Sequence, residues 1–168
     1  QRQMCIRDSS EPYQYEHEVE GWDRPVDYQL VHETGFQTYK STLAVKTDQL
    51  DAQSACLEKL VPVIQRAQKN YMTSPEATNS FIVDTVGKFN AGWIYSSGMA
   101  DYAVTMMRDE KLVGNGTDGT LGSFDSGRSS RLIDQLTPVF AGQGTPVKEG
   151  LTTDDLYTNR FLDPGVSL

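Results

Sequence analysis

The chain has 168 residues, which is enough for one ordinary domain and too few for two. Its 15 Lys and Arg residues against 23 Asp and Glu residues give a net charge of −8 at pH 7, without the basic cluster that a nucleic acid or an anionic membrane surface would need. No run approaches the roughly 18 apolar residues of a membrane span, and two cysteines with two histidines supply neither a disulfide framework nor a zinc site. We therefore predict an acidic globular protein without metal or cofactor.

Residues 1–9, QRQMCIRDS, are similar to a sequencing adapter translated at the end of a contig. We predict that this segment is foreign to the protein and exclude it from the fold. Because the chain would then begin inside a gene, the absence of a signal peptide says nothing about its compartment. Cys56 becomes the only native cysteine, and its place beside an apolar stripe predicts a position in or near the core.

Two short strands are predicted in the first third of the chain. Residues 11–25 are polar and aromatic without a helical period, which indicates loop or edge structure. Residues 26–31 alternate apolar and polar positions, and residues 42–45 form a second short strand after Gly35. Since two short strands make a marginal sheet, we expect its other strands to lie in sequence outside this chain.

The remainder of the chain has helical patterns. Apolar residues recur at steps of three and four between 57 and 71, which indicates an amphipathic helix that Pro62 should kink or make irregular at its start. Ser74-Pro75-Glu76 is a helix start, with Ser as the N-cap and Pro at the first helical position. The stripe of the first helix consists of Leu57, Leu60, Val61, Ile64, Ala67, Gln68 and Tyr71, and the second helix should bury Ile82, Val86 and Phe89.

Three further helices are predicted toward the C-terminus. One covers about residues 97–112 and another about residues 127–140, whereas Thr152-Thr153-Asp154-Asp155 resembles a capping box that opens a short terminal helix. The inward residues are predicted to be Ala100, Ala103, Val104 and Met107 in the first of these helices, and Leu132, Ile133 and Leu136 in the second.

Candidate catalytic and metal-binding motifs are weak. Residues 114–119 match the pattern G-x-G-x-x-G, but a helix rather than a strand precedes them, which favours an interhelical turn. Asp118 and Asp125 do not have the spacing of a calcium loop. His17 and His32 have acidic neighbours but no nucleophile motif to serve, so we predict solvated histidines, no catalytic residue and no metal site.

Several ordered segments together resemble one protein family. They are residues 34–45 (TGFQTYKSTLAV), 60–68 (LVPVIQRAQ), 74–79 (SPEATN), 113–122 (VGNGTDGTLG) and 156–164 (LYTNRFLDP). The chain from Trp22 to Leu168 is similar to the C-terminal half of bacterial ABC-transporter substrate-binding proteins of the nitrate, sulfonate and thiamine-pyrimidine type. The resemblance implies an α/β fold, the two-lobed type II periplasmic-binding-protein fold, of which this chain would be a helix-rich C-terminal fragment.

The resemblance also implies a division of the chain and a mechanism. Residues 10–38 would end the second lobe, residues 39–48 would cross back between the lobes, and residues 49–168 would form the helical part of the first lobe. A small molecule such as nitrate, a sulfonate or a pyrimidine or thiamine precursor would be captured by lobe closure and delivered to the permease. The protein would be a monomer outside the cytoplasm, in the periplasm or at the cell surface, with a lipid anchor left open.

The ligand site is inferred from the location of the crossing segment. Tyr39, Ser41 and Thr42 lie there and are the predicted ligand-binding residues, with Trp22 behind them. Two alternatives remain open: an enzyme of the same fold related to pyrimidine synthases, and a helical protein-interaction domain. On the transport interpretation we expect the chain by itself to expose apolar helix faces.

Overall fold

The computed structural model describes residues 10–22, 24–89 and 92–168, so the predicted foreign segment 1–9 lies outside the described residues. The described part of the chain is helix-rich, with five α-helices and three short 3-10 helices. The α-helices are α1 (Glu11–His17), α2 (Ser54–Thr73), α3 (Glu76–Phe89), α4 (Ser97–Asp109) and α5 (Ser126–Gly142), and the 3-10 helices are Val31–Thr34, Thr47–Gln49 and Thr153–Asp155.

The chain divides into two compact units. Unit 1 contains the described residues of Gln1–Tyr28 and Ala67–Gly114, together with Leu168, and unit 2 contains Gln29–Arg66 and Asn115–Ser167. Helices α1, α3 and α4 therefore belong to unit 1 and α5 belongs to unit 2, whereas α2 begins in unit 2 and ends in unit 1.

Local capping explains where the predicted helices begin. The Ser96 side chain accepts a hydrogen bond from the Met99 backbone N–H (3.1 Å) at the start of α4, and the Asp125 carboxylate accepts one from the Arg128 N–H (2.6 Å) at the start of α5. Helix α3 begins directly after Ser74-Pro75. These contacts satisfy N–H groups that a helix leaves unpaired at its first turn, and the three helix predictions are confirmed.

The prediction of strands at 26–31 and 42–45 is wrong. Among the described residues, β-pairing is limited to one isolated antiparallel bridge between Asn115 and Leu121. A strand needs a neighbouring strand for its backbone hydrogen bonds. In the segment 26–31, side-chain carboxylates accept hydrogen bonds from backbone N–H groups instead. The Val26 N–H donates to the Glu16 carboxylate (2.9 Å), and the Leu30 N–H donates to that of Glu33 (3.0 Å).

The N-terminal segment is also more regular than predicted, because α1 lies within residues 11–25. Ser10 is its N-cap residue, Pro12 lies in its first turn, and Glu11 places a carboxylate at the positive end of the helix dipole. The order Ser, acidic residue and Pro at a helix start is close to that of Ser74-Pro75-Glu76. The sequence therefore contained the signal for α1, although the aromatic residues that follow have no apolar period.

Helix α2 runs through Pro62 without interruption, and its buried face differs from the predicted stripe. Leu57, Gln65 and Met72 are buried, whereas Leu60 and Ile64 are 41% and 44% exposed. Cys56 is exposed, so the prediction that it lies in or near the core is wrong. Phe89 of α3, also predicted to be buried, is 72% exposed.

Helix α4 forms the core of unit 1, with α1 and α3 packed against it. Its inward side is lined by Met99, Ala100, Ala103, Val104 and Met106, all buried, which confirms most of the predicted face. A polar chain crosses this unit. The Tyr71 hydroxyl donates to the side chain of buried Asn79 (3.0 Å), whose amide donates to Asp101 (3.3 Å). Burial, and then the Asp101 charge, raise the pKa of Tyr71.

Unit 2 is organised around buried Gln65. Its amide donates to the Leu121 carbonyl (2.9 Å), and its oxygen accepts from the Asp163 N–H (2.8 Å). Leu121 is 1% exposed, and its own N–H donates to the Val166 carbonyl (2.9 Å). One α2 side chain thus joins the loop before α5 to the C-terminal segment.

Candidate functional site

Tyr39, the first predicted ligand-binding residue, lies against the beginning of α5. Its hydroxyl accepts a hydrogen bond from the Asp125 backbone N–H (2.7 Å). Because a phenolic hydroxyl can accept and donate at once, the Tyr39 proton stays available to an acceptor. The hydroxyl is thus fixed in position by the helix start rather than by a neighbour in sequence.

The Arg128 side chain of α5 binds the backbone directly before Tyr39. Its Nε donates to the Gln37 carbonyl (2.7 Å) and its Nη2 donates to the Thr38 carbonyl (2.6 Å). The guanidinium carbon lies 4.0 Å from the centroid of the Tyr39 ring, which is cation–π geometry worth about 0.5–2 kcal/mol. These two carbonyls lie directly before the predicted crossing segment 39–48, and they accept from a side chain of a distant helix rather than from a strand.

Two further rings complete what we call the aromatic cluster, consisting of Tyr39, Phe124 and Tyr157. The Phe124 and Tyr39 centroids are 4.7 Å apart in an edge-to-face arrangement, and Phe124 stacks on Tyr157 at 4.8 Å. The Asn159 side chain accepts from the Phe124 N–H and donates to its carbonyl, both at 2.9 Å. Each of the three rings thus contacts another ring of the cluster, and hydrogen bonds to backbone groups hold Tyr39 and Phe124 in addition.

Ser41 and Thr42 follow Tyr39 and are exposed. Ser41 has a φ of 53°, in the left-handed region that residues other than glycine seldom occupy. Lys111 has a similar φ, but it follows α4, where a left-handed residue commonly ends a helix. Ser41 follows no helix, so its conformation lacks this ordinary explanation.

Trp22 belongs to unit 1, whereas the other three predicted residues belong to unit 2. The guanidinium carbon of Arg24 lies 4.3 Å from the centroid of the Trp22 ring, and Tyr15 meets it edge to face at 6.3 Å. Trp22 thus has a cationic and an aromatic neighbour within its own unit.

Carboxylates near the beginning of α5 are held in their ionised form. The Arg128 N–H, together with the Thr117 hydroxyl and nearby arginine charges, lowers the pKa of Asp125. The Ser123 hydroxyl, followed by the Thr120 N–H, lowers the pKa of Asp118. Both carboxylates hold backbone in place. Within residues 10–22, 24–89 and 92–168, no group of three or more His, Cys, Asp and Glu side chains is arranged to hold a metal ion.

The two histidines are exposed, as predicted. The His17 ring lies against that of Tyr13 in a tilted arrangement, with centroids 4.4 Å apart and an interplanar angle of 43°. The His32 Nε2 lies 3.1 Å from the Gln37 side-chain nitrogen. The loop at 114–119 joins α4 to α5, which confirms the interhelical turn.

Sequence reasoning missed Arg128, Phe124 and Tyr157 as neighbours of Tyr39. Arg128 lies about 90 residues from the carbonyls that it binds, and no local pattern reports such a contact. Tyr157 does lie in one of the segments that carried the family resemblance, so it was a candidate that the prediction could have included.

The hydroxyls of Tyr39, Ser41 and Thr42 can each donate and accept a hydrogen bond, and Ser41 and Thr42 are exposed to solvent. In the part of the chain that the structure describes, no helix has both the length and the apolar character required to cross a bilayer. No family model, no curated protein and no solved structure matches the chain.

Proposed function

We propose that the chain is the helical part of a solute-binding component of an ABC importer, with the two-lobed α/β fold of type II periplasmic binding proteins. It captures a small molecule such as nitrate, a sulfonate or a pyrimidine or thiamine precursor, and no covalent chemistry is required. The ligand-bound closed form docks on the permease outside the cytoplasm, and the protein acts as a monomer.

The left-handed backbone conformation of Ser41 is the observation that best supports the proposed ligand site. A non-glycine residue in the left-handed region costs about 1–3 kcal/mol, and such residues concentrate at ligand-binding positions. Ser41 combines this conformation with exposure and lies two residues from the fixed Tyr39 hydroxyl. The strained backbone and the anchored ring support a preorganised set of hydroxyl donors on residues 39–42.

The apolar surface of the helices supports the proposed fold. In α/β folds helices cover the faces of a sheet, so each helix needs an apolar face and a sheet to cover. The described residues form no sheet, yet large apolar side chains are exposed on three helices: Leu60, Val63 and Ile64 on α2, Phe81 and Phe89 on α3, and Val139 and Phe140 on α5. Under this proposal the strands that cover them come from sequence outside the 168 residues.

Ligand titration tests the proposal in the complete gene product that contains these residues. We expect nitrate, an alkyl sulfonate or an aminopyrimidine to raise the melting temperature, since a ligand at 100 times its Kd adds about 2.7 kcal/mol of stability. Ser41→Gly should relieve the backbone strain and raise stability, yet weaken binding by about tenfold through loss of one hydrogen bond.

Thr42→Val should weaken binding to a similar degree, and Thr47→Val, in the 3-10 helix that follows, serves as its matched control. A purely structural role for Ser41 predicts that Ser41→Gly leaves the affinity unchanged. That result, or the absence of any response to all three ligand classes, would contradict the proposal.

A helical protein-interaction domain is the second candidate, and the surface of α3 favours it. Phe81 and Phe89 are 70% and 72% exposed, and Thr85, Val86, Phe89 and Trp93 line an apolar depression. Such surface is typical of a site for a protein partner. This alternative predicts a sharp, cooperative melt of the 168-residue chain by itself, whereas the transport proposal predicts a broad transition that sharpens only in the complete gene product.

A further inference from the structure

The loop between α4 and α5 contains a chemically labile pair, Asn115-Gly116. Once solvent base removes the Gly116 amide proton, that nitrogen can attack Cγ of Asn115. The new N–Cγ bond forms, the Cγ–Nδ2 bond breaks, and the amide nitrogen leaves as ammonia after taking a proton from water. Water then opens the succinimide ring at either carbonyl, which gives aspartate or isoaspartate without an enzyme.

The fold requires glycine at the second position of this pair. A Cβ at Gly116 would lie 2.0 Å from the Ser123 Oγ and 3.2 Å from the Ser123 carbonyl oxygen. Any side chain there would displace Ser123, which is buried. The same packing that brings Ser123 close therefore imposes the residue that makes Asn115 most reactive, since glycine offers the least steric hindrance to attack.

Hydrogen bonds within the loop also restrain the Gly116 nitrogen, which is the attacking atom. The Gly116 N–H donates to the Thr120 carbonyl (2.9 Å), and the Gly119 N–H donates back to the Gly116 carbonyl (3.0 Å). Asn115 forms the isolated bridge with Leu121, and Leu121 is anchored to Val166 and Gln65. Cyclisation needs the Gly116 nitrogen to lose its proton and turn toward the Asn115 side chain, which these contacts oppose.

One carboxylate closes the loop. Oδ1 of Asp118 accepts from the Thr120 N–H (2.9 Å) and from the Ser123 hydroxyl (2.6 Å). Thr120 is the residue whose carbonyl holds Gly116, and it is buried. Asp118 and Ser123 therefore help to hold the Thr120 backbone where its carbonyl accepts from the Gly116 N–H.

We propose that Asn115 is a self-modification site, at which deamidation is blocked in the closed loop and occurs when the Asp118–Ser123 contact opens. The aspartate product adds a negative charge next to Asp118. The isoaspartate product adds a methylene group to the backbone, which breaks the register of the bridge to Leu121. Modification thus converts a transient opening of the loop into a permanent one.

Peptide mapping by mass spectrometry tests the site in the complete gene product that contains these residues, incubated in mildly alkaline buffer with and without denaturing urea. We expect Asn115 to deamidate at least about tenfold more slowly without urea, the factor that corresponds to one hydrogen bond to a charged group. Asn70, which precedes Tyr71, is an internal control because a bulky following residue hinders the attack in either condition.

Ser123→Ala and Asp118→Ala should raise the native rate about tenfold or more toward the value in urea, and Ser130→Ala on the exposed side of α5 is the matched control. Circular dichroism establishes that each variant keeps its helices. Hydrogen exchange of the Gly116 amide in the unmodified chain gives an independent measure, and its protection should exceed that of an unfolded peptide at least tenfold.

Equal rates of deamidation with and without urea would overturn the proposal. So would a folded Ser123→Ala variant that deamidates at the parental rate, or a Gly116 amide that exchanges as fast as in an unfolded peptide.

Discussion

Gln65 shows how a single polar side chain can organise a small interior. It is 4% exposed. Its side-chain amide forms hydrogen bonds with two backbone groups that have no partner in a helix or sheet, the Leu121 carbonyl and the Asp163 N–H. A buried backbone group left without a partner costs about 1–3 kcal/mol, more than a typical hydrogen bond contributes. The stability of unit 2 therefore depends on this residue more than its polar character suggests.

Substitution of Gln65 measures that dependence. Gln65→Leu keeps the approximate volume but leaves one carbonyl and one N–H unpaired in the interior, so we expect a loss of about 2–4 kcal/mol in the free energy of unfolding. Gln68→Leu, on an exposed position of the same helix, should change it by less than about 0.5 kcal/mol. Urea denaturation followed by circular dichroism compares the two, and equal effects would contradict the assigned role of Gln65.

Asp155 gives the molecule a defined response to acid. A hydrogen bond from Lys148 (2.6 Å), together with bonds from the Thr152 N–H and hydroxyl (both 2.9 Å), lowers the pKa of Asp155 to about 2, from an ordinary value of 3.8. Because the folded state binds this proton more weakly than the unfolded state, the stabilisation is complete above about pH 4. It disappears as the pH falls through about 2.

We expect Asp155→Asn to have a melting temperature that changes less than the parent's between pH 4 and pH 2. Thermal melts across this range provide the measurement, and Asp154→Asn, at the exposed neighbouring carboxylate, is the control. The assignment fails if the parent and Asp155→Asn lose stability in parallel over this range.

At the scale of helices, the features that could be predicted from sequence are those set by near neighbours. The beginnings of α3, α4 and α5 follow from caps and Pro positions within one turn. The predicted strands failed because a strand depends on a distant partner, and here carboxylates bind the backbone N–H groups of Val26 and Leu30. For the same reason Tyr39 was identifiable as an aromatic residue in an extended segment, but its contact with Arg128 was not.

The buried face of α2 is the feature that the spacing of apolar residues predicts least well. The pattern of apolar residues predicts that Leu57 and Leu60 share the buried face, yet Leu57 is 4% exposed and Leu60 is ten times more so. The apolar residues cover a broad side of this helix, so their spacing alone does not select which edge of that side is buried. Gln65, which the stripe excludes, is buried because its amide has partners on two other segments.

A matched pair of substitutions on α2 tests this orientation. Leu57→Ala should cost about 2–5 kcal/mol, the range for removal of a leucine side chain from a packed interior. Leu60→Ala should cost less than about 1 kcal/mol, because much of the Leu60 side chain is already exposed to solvent and its removal takes away little buried apolar area. Chemical denaturation of both variants gives the comparison, and similar losses would show that the face containing Leu60 is buried in solution.

At the scale of the whole molecule, two properties oppose each other. The net charge of −8 at pH 7 keeps copies of the chain apart, while the exposed apolar residues of α2, α3 and α5 favour association. The proposed transport function resolves this conflict through strands that cover the helices, and an interaction domain resolves it through a partner protein. Either way, the balance in the isolated chain is set by pH and by salt.

This balance predicts how the purified chain behaves on its own. Near its isoelectric point of about 4.7 the repulsion vanishes, so light scattering should show association there that is weak at pH 7 and low salt. Salt at pH 7 should also promote association, because about 0.15 M salt shortens the range of charge repulsion between chains to about 8 Å.

The double variant Phe81→Gln with Phe89→Gln should reduce association under both conditions without loss of helix content, since both side chains are largely exposed. The buried substitution Val104→Gln is the contrasting control, because it should unfold unit 1 and increase association. If the double variant associates as strongly as the parent, these aromatic side chains are not the surface through which the chains meet.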